Sequence, residues 1–377
     1  MMNDETLNEI QAWSGACRLC LKGVDGGDGE NDDLFLLRWA QEDAVLVEGN
    51  RNVPMQMKAA ADMEIDDARA GKIPLVAPEA IQVAEGKALV LFLHGAGQSS
   101  QTYATTVAEL KRMLKGPSAP ALFAYDARAH GATECTKEYD SLTKDQLVHD
   151  CLAIVDTLVS STVPRDKPTH VFLVGHSMGG AIACWVAKEL MASRTNTVQV
   201  RGLFVMDAVE ELALSSLEHS LATVTKRPAG FANFRTAVLW ALEHGMTQNP
   251  VSANVSMRGQ LRKASTKEAA AFGASAGFIW RTDLAKSYDA WAGWFTGFSQ
   301  AFVDIRLINK AILLAGRERL DQPMMVGHMQ GKFKLVVFPE VRVGHFVHED
   351  APVRTAQELV GFLNRRVSLP AFLQVRP

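Results

Sequence analysis

The chain has 377 residues, of which 47% are apolar and 21% charged, and its formal net charge at pH 7 is −3. This composition is that of a globular protein with a large buried core, and it excludes a disordered or fibrous chain. Because 39 basic residues are scattered among 42 acidic ones, there is no basic stripe for a phosphate backbone, and no nucleic-acid partner is expected.

The start of the chain is acidic and leads into no apolar segment of the kind that a signal peptide contains. No stretch approaches the ~18 apolar residues that cross a bilayer, so no membrane partner is expected. The five cysteines are few and odd in number, which argues against a disulfide framework. The sequence therefore predicts a protein of the cytoplasm or the nucleus.

Residues 1–80 are the least informative part of the chain. Cys17 and Cys20 have the CxxC spacing, but no second pair follows at zinc-finger spacing, so we expect ordinary reduced thiols. The Gly-rich acidic stretch 23–33 fails the calcium-loop pattern and is expected to be a solvated, partly mobile loop.

From residue 88 onward, short apolar runs alternate with longer helical patterns. This alternation predicts an α/β fold, a mostly parallel central sheet with helices on both faces. The runs are apolar at successive positions, which is typical of strands buried on both faces. The predicted strands are 88–93, 121–125, 171–174, 202–206, 311–314 and 335–338.

One interval breaks this rhythm, because 104 residues separate Met206 from Ala311. That length is far too great for a single crossover connection and predicts a helical cap over the end of the sheet. The expected division is an N-terminal region (1–80), a core (81–207 and 300–377) and a cap (208–299). Aromatic side chains in the interval either line a substrate groove or form the cap's own core. They include Trp240, Trp280, Trp291 and Trp294.

The chemistry-bearing motif is the G-x-S-x-G at 175–179, which follows a predicted strand and opens a helix rich in small residues. Such a turn strains the backbone of Ser177, and Gly175 and Gly179 allow strand and helix to close around it. The serine then lies at a helix N-terminus, which favours developing negative charge. The motif predicts a serine nucleophile and the α/β-hydrolase fold.

The base must come from elsewhere, since His176 adjoins the serine and is predicted to be a packing residue. His345 follows the last predicted strand by a loop that ends in Gly344, which agrees with the chain order Ser, acid, His of this fold. His348 is the second candidate by the same rule.

Candidates for the acidic residue that orients the histidine follow two of the predicted strands. Asp207 comes directly after one predicted strand, and Glu318 and Asp321 come after the strand that follows the cap. Both ends lie at the carboxyl edge of the sheet, where ligands bind in open α/β folds. The residues alone leave this choice open, because an Asp in such a place also caps helices.

The oxyanion donors are predicted from His94-Gly-Ala-Gly97, which directly follows a strand. In this fold such a loop donates one backbone N–H and the residue after the nucleophile donates the other. The predicted donors are therefore the N–H groups of Ala96 and Met178.

With these residues in place, the chain resembles the protein phosphatase methylesterases, which remove the methyl ester from the C-terminal leucine of the protein phosphatase 2A catalytic subunit. The resemblance covers roughly residues 88–365, the cap included. The segments that carry it are 91–98, 175–183, 202–210, 240–260, 280–286, 291–295, 327–333 and 344–352.

The resemblance implies a triad of Ser177, Asp207 and His345, an acyl-enzyme mechanism without cofactor or metal, and the methylated phosphatase tail as partner. It departs from the family at Ala96, where glycine is usual, and at 263–278, where the family's acidic run is missing. Two rival interpretations remain, a generic hydrolase of small esters and a catalytically silent protein that binds the phosphatase.

Overall fold

The computed structural model describes ten stretches of the chain. They are residues 17–21, 32–39, 83–84, 86–133, 142–159, 168–193, 197–271, 277–316, 320–340 and 342–365. Most of the Gly-rich stretch lies outside them, as do Glu318 and the side chains of Cys17 and Cys20. Among the helices in these stretches, none is long and apolar enough to cross a membrane.

Eleven strands lie within the described residues. They are β1 Cys17–Leu21, β2 Asp32–Trp39, β3 Leu89–Leu93, β4 Ala121–Tyr125, β5 Thr169–His176, β6 Val198–Met206, β7 Gly230–Phe231, β8 Leu261–Lys263, β9 Phe278–Trp280, β10 Asn309–Ala315 and β11 Lys334–Phe338.

Eight of these strands form one sheet in the order β1-β2-β4-β3-β5-β6-β10-β11. The six strands from β4 to β11 in this order run parallel, and β1 and β2 are antiparallel to their neighbours. The six predicted strands and the predicted α/β architecture are confirmed. β1 and β2 were missed, although β2 contains the apolar run Leu34-Phe-Leu-Leu37. Their place in the sheet depends on the pairing of β2 with β4, more than 80 residues further along the chain, which a short local run does not specify.

The helices cover the sheet and build the cap. They are α1 Ala104–Met113, α2 Lys144–Val159, α3 Met178–Ala192, α4 Glu210–Ser215, α5 Leu217–Thr225, α6 Phe234–Glu243, α7 Pro250–Gln260, α8 Thr266–Ala271, α9 Tyr288–Phe295, α10 Phe298–Asp304, α11 Gln322–Met329, α12 Val347–Asp350 and α13 Pro352–Leu363, with 3₁₀ turns at Ser100–Tyr103 and Leu284–Ser287.

The sheet is buried on both faces, as its unbroken apolar runs predict. In β3, Leu89 and Leu91 enter one hydrophobic cluster while Val90 and Phe92 enter the cluster on the opposite face. All four side chains are 0% exposed. This alternation follows from the two-residue period of a strand and requires helices on both sides.

The interval between β6 and β10 holds α4 to α10 and a separate three-stranded sheet in the order β7-β9-β8. A hydrophobic cluster centred on Val238 and Met257 belongs to this interval alone, and Trp240 and Trp280 pack against it. Trp291 and Trp294 join the main core instead. The cap's own core therefore accounts for Trp240 and Trp280, whereas Trp291 and Trp294 join the cap to the main core.

Candidate active site

Ser177 lies on a strained turn between β5 and α3. Its φ is +51° and its ψ is −122°, a backbone conformation that residues other than glycine rarely adopt. Its N–H donates to the carbonyl of Met206 at 2.9 Å, which ties the turn to the neighbouring strand. A Cβ on Gly175 would lie 2.2 Å from the Gly179 oxygen, and one on Gly179 would lie 2.2 Å from the Leu93 oxygen. Only glycine fits at these two positions, as the motif predicts.

His345 and Asp207 meet at the carboxyl edge of the sheet. The Nδ1–H of His345 donates to Oδ2 of Asp207 at 2.7 Å, and Oδ1 accepts the N–H of Ala315 at 2.7 Å. The Asp207 side chain is 3% exposed, whereas that of His345 is 49% exposed. The geometry is that of a buried carboxylate that orients an accessible imidazole.

Asp321, an alternative candidate for the acid, makes other contacts. One Asp321 oxygen accepts the N–H of Met324 at 3.1 Å and so caps α11, and the other accepts the Ser299 hydroxyl at 2.5 Å. Its part in the described residues is thus helix capping, the second role that an Asp at a strand end can take. Glu318 lies outside the described residues.

The two other histidines near the serine are buried in polar contacts. The Nε2–H of His176 donates to the backbone oxygen of His345 at 2.8 Å, and His176 Nδ1 lies 2.8 Å from the Gln98 side-chain oxygen. His348 Nε2 lies 2.7 Å from the Thr102 hydroxyl. Both rings are 0% exposed, so neither is open to a substrate.

In the loop after β3, the backbone N–H of Ala96 is left for a ligand. The N–H of Gly95 donates to the Gln98 side-chain oxygen at 3.0 Å, and the N–H of Gly97 donates to Nε2 of His130 at 2.9 Å. Within the described residues, the N–H groups of Ala96 and Met178 have no acceptor. The left-handed residue of this loop is Gly97 at φ +75°, so alanine at position 96 meets no backbone strain.

Two buried histidines, His94 and His130, hold this loop, and both rings are neutral. Burial lowers the pKa of His94 to about 4 and that of His130 to about 3. His94 accepts the N–H of Ala127 through Nε2 at 2.9 Å, and His130 donates to the Arg128 oxygen through Nδ1 at 2.8 Å. A neutral ring has one donor and one acceptor nitrogen, which matches both sets of contacts.

A buried carboxyl group lies behind the His345 loop. Glu349 is 3% exposed, and burial raises its pKa to about 8. Its side chain contacts the hydroxyl of Thr102, the amide of Gln98 at 3.4 Å and the hydroxyl of Ser256 at 3.1 Å. Through Ser256, the cap helix α7 is attached to the segment that follows the candidate base.

Asp350 ties the same segment to the cap a second time. Its Oδ2 accepts the N–H of Gly344 at 2.7 Å, directly before His345. Its Oδ1 accepts the Thr247 hydroxyl at 2.7 Å and the Gln248 N–H at 2.6 Å, both from the loop before α7. One carboxylate thus holds the base loop and the cap together.

Sequence reasoning missed the polar side chains that support the site, chiefly Gln98, His130 and the Glu349–Asp350 pair. For His130 a signal existed, since it lies five residues after β4 ends at the same sheet edge. Among the described residues, no group of three or more His, Cys, Asp or Glu side chains is arranged to hold a metal ion.

A parallel sheet with a serine on a strand-to-helix turn and an Asp–His pair at the following strand ends defines an α/β-hydrolase. The profile of the alpha/beta hydrolase family matches residues 90–358. Among solved structures, E-2-(acetamidomethylene)succinate hydrolase has a TM-score of 0.58 at 17% identity, over 75% of this chain and 94% of that one. A Mycobacterium tuberculosis esterase has a TM-score of 0.53 at 18% identity, over 83% and 100%. These identities show the fold alone.

Curated relatives narrow the class to one family. The probable protein phosphatase methylesterase 1 of Caenorhabditis elegans is 36% identical over 281 residues, which are 74% of this chain and 70% of that protein. Protein phosphatase methylesterase 1 of Debaryomyces hansenii is 34% identical over 283 residues, 73% and 68% of the two chains. The Aspergillus oryzae protein of that name is 37% identical over 283 residues, 74% and 63%. The chain belongs to the protein phosphatase methylesterase family and is a carboxylic ester hydrolase, as its motifs predict.

Proposed function

We propose that this protein removes the methyl ester from the C-terminal leucine of the protein phosphatase 2A catalytic subunit, with Ser177, His345 and Asp207 as its catalytic triad. The observation that carries the proposal is the 2.7 Å contact between His345 and the buried Asp207, beside the strained turn of Ser177. The names of the relatives support the choice of substrate.

In the proposed first half-reaction, His345 Nε2 takes the proton of the Ser177 hydroxyl while its oxygen attacks the ester carbonyl. Asp207 fixes the Nδ1–H tautomer and stabilises the imidazolium that forms. The N–H groups of Ala96 and Met178 donate to the oxyanion, and each donor contributes about 3 kcal/mol to transition-state stabilisation. His345 then protonates the methoxide, and methanol leaves.

The second half-reaction hydrolyses the acyl-enzyme. Water attacks the ester that Ser177 has formed with the leucine carbonyl, His345 accepts the water proton, and the same N–H groups hold the second oxyanion. The serine regains its proton and the product leaves as a free carboxylate. The 49% exposure of His345 leaves room for both the leaving methanol and the entering water.

The test is methanol release from purified methylated phosphatase, with Ser177→Ala as the matched control. The wild-type protein is expected to release methanol stoichiometrically and to react with a fluorophosphonate probe. Ser177→Ala should do neither while keeping its thermal stability, since the strain of the turn belongs to the backbone. Labelling that survives in the variant would remove Ser177 from the site.

Two results would favour the rival functions. Faster turnover of p-nitrophenyl esters than of methylated phosphatase would indicate a generic esterase of small substrates. Binding to the phosphatase without either methanol release or probe labelling would indicate a silent binding protein, which needs no working triad.

A further inference from the structure

Arg227 lies in a turn of the cap that is held by several contacts. It follows α5, where its own N–H donates to the Val224 oxygen at 3.2 Å. The next residue, Pro228, accepts the indole N–H of Trp280 at 2.8 Å. The Arg227 guanidinium carbon lies 5.0 Å from the centre of the same indole ring, a cation–π contact. Backbone and head group are thus both held by Trp280.

The guanidinium faces the oxyanion loop. Its Nη1 lies 3.7 Å from the position that a Cβ on Gly97 would take, and the Leu284 side chain packs on the same glycine. Gly97 directly follows Ala96, whose backbone N–H has no acceptor in the described part of the chain. A cation of the cap is therefore placed one residue from the proposed oxyanion donor.

The charge of this guanidinium is not neutralised by a carboxylate in the described part of the chain. Within the described residues its side chain makes no ion pair and no hydrogen bond, and burial lowers its pKa. Arg128 shows the opposite arrangement, since both oxygens of Asp150 accept its N–H groups at 2.6 and 2.7 Å. A half-buried charge without a counter-charge is costly. Such a group beside a candidate active site is therefore a candidate for binding a ligand of opposite charge.

We infer that Arg227 is an anion-binding subsite that holds a carboxylate or phosphate on the substrate peptide, within a few residues of the methylated C-terminus. The inference rests on the proposed function and extends it to substrate selection. The ester itself is neutral, and its carbonyl oxygen is served by Ala96 and Met178. The planar guanidinium of Arg227 is available to a second group of the substrate. Carboxylates and phosphates are the groups that a guanidinium binds bidentately.

The test uses peptides of equal length that end in leucine methyl ester. Each of the three residues before the leucine is changed in turn from glutamine to glutamate, or from serine to phosphoserine. Methanol release gives kcat/KM, and slow peptides are scored by how well they protect Ser177 from a fluorophosphonate probe. Wild type, Arg227→Gln and Arg227→Lys are compared. Arg306→Gln is the control, because Arg306 is exposed at the opposite edge of the sheet.

At one position the wild-type enzyme and Arg306→Gln should prefer the charged peptide roughly tenfold or more. Arg227→Gln should lose this preference, and Arg227→Lys should keep part of it. Because the preference is a ratio measured within one variant, a general loss of activity does not imitate its loss. Comparing glutamate with phosphoserine distinguishes the two anions. Equal values for all peptides in the wild type, or a preference that survives in Arg227→Gln, would overturn the inference alone. No methanol from any peptide or from methylated phosphatase would overturn the proposed function together with it.

Discussion

At the scale of single residues, the two catalytic candidates on adjacent strands share one unusual property. Ser177 has a φ of +51° and Asp207 a φ of +50°, and each directly follows a strand of the sheet. Such conformations cost of order 1–3 kcal/mol each and persist only where the surroundings enforce them. Here backbone hydrogen bonds to the next strand do so, from Ser177 to Met206 at 2.9 Å and from Asp207 to Leu313 at 2.7 Å. Both side chains are thereby raised above the same sheet edge.

The first prediction concerns the acid. Asp207→Asn should lower kcat by about a thousandfold or more, because an amide favours the wrong tautomer of His345. The fold should survive, since asparagine adopts positive φ more readily than most residues. Asp321→Asn and Glu318→Gln should change kcat little. Steady-state kinetics on methylated phosphatase measure kcat for the three variants. A larger loss of kcat in Asp321→Asn or Glu318→Gln than in Asp207→Asn would place the acid after the strand that follows the cap.

At the scale of elements, the loop from β11 to α12 is held from two sides. The His345 oxygen accepts the Nε2–H of His176 at 2.8 Å, and the Gly344 N–H donates to Asp350 at 2.7 Å. Because Asp350 also accepts two donors from the cap, any shift of the loop before α7 acts directly on the residue before the base. The cap and the His345 loop are therefore mechanically connected.

The second prediction tests this connection. Asp350→Asn has one oxygen for three donors, so either the Gly344 contact or the cap contacts are lost, at about 1–3 kcal/mol for a donor left unpaired. We expect kcat to fall roughly tenfold with little change in KM, because the loss affects the placement of His345. Thr247→Val, which keeps the Gly344 contact, is the control and should lower kcat less. Equal effects of the two substitutions would show that the carboxylate supports only the cap.

At the scale of the whole molecule, buried ionisable groups make the free energy of unfolding depend on pH. His94 and His130 have pKa values lowered by burial to about 4 and about 3 from 6.5. Below pH 6.5 the unfolded chain takes up protons that the native rings refuse, so stability falls as the pH drops. Glu349 has the opposite effect, since burial raises its pKa from 4.5 to about 8. Above pH 4.5 the unfolded chain releases a proton that the native carboxyl keeps, so stability falls as the pH rises towards 8.

The third prediction follows from the sign of the Glu349 contribution. Glu349→Gln replaces the carboxyl with a neutral group of the same shape, so its stability relative to wild type should increase from pH 5 to pH 8. The slope is at most about 1.4 kcal/mol per pH unit, the value for one proton. Urea unfolding at pH 5, 6.5 and 8 measures it. A stability difference that does not change with pH would mean that Glu349 ionises normally in the native protein.

The fourth prediction concerns the size of the cap relative to the reacting group. One leucine side chain and a methyl ester provide only a few kcal/mol of binding energy, so selectivity must come from remote contacts with the folded phosphatase. The side chains of Glu349 and Asp350, which join the cap to the His345 loop, provide a route by which such contacts improve the placement of His345. We expect kcat/KM for methylated phosphatase to exceed that for its methylated C-terminal hexapeptide by more than tenfold. Values within tenfold would confine recognition to the tail.

The sequence by itself determined the features that depend on local pattern. Six buried strands were predictable because a strand covered on both faces is apolar at every position. The Ser177 turn was predictable because only glycine fits at 175 and 179. The order of chain elements in this fold restricted the candidate base to His345 or, second, His348.

The tertiary structure decided what depends on which side chains meet. The residues alone left Asp207 and Asp321 open, since both follow strands that end at one sheet edge. Only the packing of α11 turns Asp321 into a helix cap and leaves Asp207 facing His345. The contacts of Gln98 with Glu349, of Thr247 with Asp350 and of Arg227 with the Gly97 loop join segments separated by up to 251 residues in the chain. No local pattern encodes such contacts, because they form only when the cap closes on the sheet.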